Sequence, residues 1–91
     1  SNSIQSIKIM NEKVDLKNIL TFCYDIMKCL VNNSKTNKNV ECKLEIDKEI
    51  ENQVLITDEI RLKQIILNLI SNSVKFTKKG YILLKALVVN N

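Results

Sequence analysis

Apolar and polar residues alternate without error through VECKLEID, residues 40–47: Val40, Cys42, Leu44 and Ile46 against Glu41, Lys43, Glu45 and Asp47. A period of two predicts a β-strand with one face in a core and one in water. Elsewhere the period lengthens. Leu16, Ile19, Leu20, Cys23, Met27, Leu30 and Val31 recur three and four apart, which predicts an amphipathic helix capped by Asp15 and running to about Ser34. The polar run NNSKTNKN (32–39) closes it as a loop. Within IQSIKIMNEKV (4–14), Ile7 and Ile9 stand at strand spacing and predict a short first strand. After a turn in KEIENQ, VLI (54–56) reads as another short strand, and Thr57 and Asp58 start a second helix. That helix runs to about Thr77, where Lys78, Lys79 and Gly80 stop it. YILLKALVV (81–89), apolar on both faces, is the final strand. The order β-α-β-β-α-β predicts an α+β fold, a two-layer α/β sandwich with both helices on one face of a mixed sheet.

Composition narrows what such a domain can do. The chain has 91 residues, enough for one small domain, with 45% hydrophobic and 26% charged residues. It holds a single glycine and no proline, so no glycine-rich phosphate loop of the G-x-G-x-x-G or P-loop kind is present. It also has no histidine: no histidine base, metal ligand or phosphoacceptor can come from this chain. Three cysteines, Cys23, Cys29 and Cys42, without C-x-x-C spacing predict neither a zinc site nor a disulfide framework, but buried reduced thiols in an intracellular protein. Fourteen basic residues face ten acidic ones, net +4, yet the lysines are scattered and the aromatics few, which argues against a nucleic-acid partner. The opening SNSIQSIKIM has no signal-peptide pattern, and no apolar run approaches membrane-spanning length.

The candidate chemistry lies in the second helix, where Asn68 and Asn72 interrupt an apolar run. Asn costs roughly 0.5 kcal/mol relative to Ala in a helix, because its amide competes for backbone hydrogen bonds. At 100° per residue, Arg61, Gln64, Asn68, Asn72 and Lys75 fall along one strip, while Leu62, Ile66, Leu69, Ile70 and Val74 cover most of the remaining circumference. A stripe that only meets water is usually filled with Glu and Lys. Amides followed by a lysine also fit an interior surface meeting an anion or a hydrated cation. From the residues alone, both readings stand.

DEIRLKQIILNLISNSVKFTKKGYI (58–82) resembles the N box of the histidine-kinase ATP-binding domain. The family pattern is Asp-x-x-Arg-Leu-x-Gln, then Asn-Leu-x-x-Asn-Ala-x-Lys-Phe/Tyr-Thr, then a glycine and a strand. Asp58, Arg61, Leu62, Gln64, Asn68, Leu69, Asn72, Lys75, Phe76, Thr77 and Gly80 match it in register. Ser73 replaces the usual Ala and Thr57 a common Gly, while VDLKNIL upstream is similar to the start of the family's first helix. The resemblance implies a partial Bergerat fold and the cofactors ATP and Mg²⁺. Asn72 matches the magnesium ligand, Lys75 the lysine that reaches toward the phosphates, and Phe76 an aromatic lining the adenine pocket. Asn68 stands where the related gyrase, heat-shock and mismatch-repair ATPases carry a water-activating glutamate. An amide accepts no proton near neutral pH, so Asn68 is no general base. Arg61 and Gln64 read as structural or rim residues.

The family's Asp-x-Gly-x-Gly, lid and second glycine box do not occur in the chain, nor does a helix pair bearing the phosphoacceptor histidine. The expectation is therefore one incomplete domain over 1–91, the front half of the ATP-binding domain of a sensor protein-histidine kinase, with no catalytic residue and with nucleotide binding weak or absent in isolation. The resemblance implies a parent that is a homodimeric, cytoplasmic or membrane-attached kinase serving a receiver domain in a two-component phosphorelay. An open strand at 81–89 predicts self-association. The alternatives are a non-catalytic protein-interaction module derived from a kinase domain and another ATPase of the same fold.

Overall fold

The computed structural model describes residues 3–37 and 39–89. Its elements follow the expected order: β1 (Glu12–Val14), α1 (Leu16–Asn32), β2 (Asn39–Ile46), a 3₁₀ turn (Lys48–Asn52), β3 (Leu55–Thr57), α2 (Glu59–Phe76) and β4 (Lys79–Ala86). The fold is a small α+β domain.

Both helices begin where an aspartate accepts a backbone N–H of the first turn. Asp15 Oδ1 takes the Asn18 N–H at 3.2 Å, and Asp58 Oδ1 takes the Arg61 N–H at 3.1 Å. Such caps satisfy donors that have no partner within the helix. They also end β1 and β3 after three residues each, since each strand runs directly into its cap. This explains a departure from the expected single mixed sheet. Among the described residues β1 pairs with β3 alone, antiparallel, with Glu12 opposite Thr57 and Val14 opposite Leu55; β2 pairs with β4, parallel, from Asn39–Lys79 to Ile46–Ala86. The parallel pair is joined by a crossover through α2, as parallel strands require.

The first strand also lies further along than its pattern predicts. Ile7 and Ile9 belong to no strand and are exposed, because the three-residue β3 pairs with Glu12–Val14 instead. The final strand starts two residues early and ends at Ala86, leaving Leu87 to Val89 outside it.

One core joins these elements. Val14, Ile19, Cys23, Met27, Val31, Ile70 and Ile82 form a buried cluster, with Leu55, Leu62, Ile66, Leu67, Val74 and Leu84 packed against it. Ile19 and Met27 are essentially inaccessible, and each such side chain contributes about 1.5–3 kcal/mol by leaving water. The alternation of β2 is realised residue by residue, with Val40, Cys42, Leu44 and Ile46 turned inward. The Tyr24 hydroxyl donates to the Cys42 carbonyl at 3.0 Å and so ties α1 to β2.

Candidate functional site

Helix α2 packs by one face. Leu62, Ile66, Leu67, Ile70, Ser73 and Val74 lie buried or half-buried, at the three- and four-residue spacing that turns one stripe toward α1 and the core. The opposite face carries every residue of the anticipated strip: Arg61, Gln64, Asn68, Asn72 and Lys75 are all exposed, and so is Phe76.

Of the two readings left open for the strip, the structure has it as an open surface, and one expectation is corrected: the strip is not narrow. Ile60, Ile65, Leu69 and Phe76 share the outward side, each more than half exposed. Periodicity alone assigned Leu69 to the buried part of the circumference. Yet α1 is the main element packed against α2, and a single helix neighbour covers only one side of it.

The last turn gathers positive charge. Lys75, Lys78 and Lys79 follow in sequence where α2 ends, and all three are exposed. The Lys75 ammonium lies 5.4 Å from the centroid of the Phe76 ring, and Lys78 Nζ donates to the Lys75 carbonyl at 3.1 Å. Cations at a helix C-terminus sit favourably against its dipole, and together they form an electropositive end one turn from Asn72.

The donor chemistry of this face fits a magnesium nucleotide. An exposed amide oxygen at Asn72 is a neutral hard donor, suited to Mg²⁺, which takes few protein ligands and keeps phosphate oxygens and waters. Lys75 and its neighbours supply charge for phosphate oxygens. Among the described residues no three His, Cys, Asp or Glu side chains converge.

One side chain near the helix end was not singled out by pattern. Asn37, in the loop between α1 and β2, is 2% exposed, and its Nδ2 donates to the Val74 carbonyl at 3.0 Å and to the Thr77 carbonyl. It lies in an asparagine-rich loop where no spacing marks it, and only its contacts reveal it.

A small α+β domain that presents an amide-and-lysine helix face is the class defined by fold and site. No family model matches the chain. It is 33% identical over 90 residues to "Probable histidine kinase 3" of Oryza sativa subsp. japonica, across 94% of this chain and 9% of that protein. It is 52% identical over 52 residues to the "Autoinducer 2 sensor kinase/phosphatase LuxQ" of Vibrio harveyi, across 56% of this chain and 6% of that protein. It is 35% identical over 79 residues to the "Aerobic respiration control sensor protein ArcB homolog" of Haemophilus influenzae, across 87% of this chain and 23% of that protein. The chain is thus related to a region of histidine kinases, and it spans less than a quarter of the length of each of these relatives. Among the described residues no helix is long and apolar enough to cross a membrane.

Proposed function

We propose that this chain is the ATP-binding part of a sensor protein-histidine kinase, an N-box segment that serves autophosphorylation of a histidine and a two-component phosphorelay. The observation that carries the reading is the exposed face of α2 on which Asn68, Asn72, Lys75 and Phe76 follow at helical spacing. Kinship with a probable histidine kinase of a plant and with a sensor kinase/phosphatase and a sensor protein of two bacteria supports it.

In this reading Asn72 offers its side-chain oxygen to Mg²⁺. Lys75 leaves the Phe76 ring to meet phosphate oxygens, and Phe76 gives an apolar surface to the adenine. Asn68 holds no proton-accepting group, so water beside it is not activated and transfer to a histidine is favoured over hydrolysis. Bound Mg²⁺–ATP supplies the transferable phosphoryl group. The chain contains no histidine, so the acceptor comes from another segment and the chain by itself is inactive. The whole protein is a homodimer working with a receiver domain, with this segment on the cytoplasmic side.

The test is a chimera in which residues 57–80 replace the matching segment of the Vibrio harveyi sensor kinase. ATP-dependent autophosphorylation is retained, and Asn72→Ala lowers it about 100-fold, the scale of losing one aligned polar contact to a developing charge. Asn72 is exposed and Ala is the better helix former, so unfolding does not account for such a loss. Unaltered labelling of the Asn72→Ala chimera overturns the reading.

A further inference from the structure

We infer that Asn37 is a positioning residue for Lys75 and Phe76, a role that rests on the nucleotide-site reading above. The two carbonyls that receive its Nδ2, those of Val74 and Thr77, bracket that pair in sequence. The end of α2 needs such a donor. Helices commonly finish on a left-handed glycine whose amide closes onto the last carbonyls. Here the capping residue Thr77 is extended, at φ −94° and ψ 116°, and among the described residues the one positive φ belongs to Gly80, three residues further on. Asn37 takes the place of that cap from across the fold, nearly forty residues earlier in the chain.

The amide orientation follows from its surroundings. Both close neighbours are carbonyl acceptors, so the nitrogen faces them. Its Oδ1 has no hydrogen-bond partner among the described residues. A buried unpaired acceptor is unfavourable, and the forked donor contact must outweigh it. Asn37 is the fully buried polar side chain among the described residues, yet what it fixes is an exposed feature. Lys75 and Phe76 lie on the open face, with the Phe76 ring 71% exposed, so packing does little to aim them. The backbone of the last turn sets their direction, and Asn37 sets that backbone.

The inference is tested in two places with Asn37→Asp, which keeps the volume but loses both donated hydrogens near neutral pH. In the isolated chain, amide hydrogen exchange at residues 74–79 accelerates about tenfold while the β2 amides keep their protection, because local opening is read segment by segment. In a sensor-kinase chimera carrying residues 16–80, KM for ATP rises about tenfold with a smaller change in kcat, the signature of lost binding geometry. Asn37→Ser keeps a single donor and gives intermediate values, and it serves in place of Asp if Asp also strips the β2 protection. An unchanged KM overturns the positioning role, whether exchange accelerates or only the melting temperature falls. Asn72→Ala, measured in parallel, separates the two ideas: if it leaves labelling intact the nucleotide reading has failed, while the exchange arm still decides whether Asn37 holds the helix end.

Discussion

Asp58 performs two tasks with one carboxylate. Its Oδ1 caps α2, and its Oδ2 accepts the Met10 N–H at 3.1 Å, which ties the N-terminal segment to the second helix. The Met10 amide, and then the Arg61 amide, hold its carboxyl below the ordinary carboxylate range. A carboxylate whose folded pKa is depressed stabilises the fold above its unfolded value, and this stabilisation is lost as pH falls through the folded one. The urea midpoint of the chain therefore drops as pH falls through and below the ordinary carboxylate range. In Asp58→Asn, which keeps an oxygen for the cap but has no charge to lose, the drop is shallower. Equal acid slopes for the two proteins remove Asp58 from this account. The thiols differ from the expected buried set: Cys23 is buried and Cys42 half-buried, but Cys29 is exposed on α1. Burial pushes Cys23 up, with Lys63 opposing, and pushes Cys42 up, with Lys28 opposing, so both are held in the unreactive protonated form. None of these shifts falls on the candidate site.

At the scale of elements, the decisive feature is how α2 stops and how β4 begins. Gly80, the second residue of β4, takes φ +98° where the parallel strand begins. A Cβ added there meets nothing within 4 Å, so the cost of Gly80→Ala is conformational and not steric. It amounts to about 1–3 kcal/mol, the usual penalty for a side chain in the left-handed region, and a denaturant titration of the variant reads it directly. Unchanged stability means that the backbone relaxes away from positive φ. Much of this level was legible in advance. The caps at Asp15 and Asp58 and the period-two run of β2 are local signals, each determined by residues within one turn or one strand of it. The expected stop at Lys78, Lys79 and Gly80 is not where α2 ends: Thr77 ends it in an extended conformation, and Lys79 and Gly80 already belong to β4. The first strand was misplaced, because Ile7 and Ile9 have the right spacing but no partner strand, and pairing is a property of two segments.

The whole molecule is flat. Its radius of gyration is 16.0 Å, with extents of 47 × 46 × 22 Å, whereas a compact domain of this length has a radius of about 12 Å. Two separate two-stranded sheets, a one-sided α2 and an exposed segment over residues 3–11 that joins no helix or strand go with this shape, and large apolar side chains remain at the surface. β4 has β2 on one flank and no strand on the other among the described residues, with Tyr81, Leu87 and Val89 more than half exposed along the run 81–89. An open edge of this kind recruits another strand. The isolated chain is expected to self-associate through residues 81–89 as concentration rises, and more so in salt, which screens Lys79 and Lys85. Sedimentation that shows a monomer at every concentration removes this expectation.

The sequence by itself determined the order of the elements, their caps, the inward residues of β2 and the helical strip Asn68–Asn72–Lys75, because each is written in spacing and in the conformational preferences of neighbouring residues. The tertiary structure alone decided three things. It divided the strands into two sheets, it turned the strip outward, since α1 is the main element packed on α2 among the described residues, and it brought Asn37 to the carbonyls of Val74 and Thr77. All three depend on which segments far apart in the chain come together, and a periodic pattern carries no information about that.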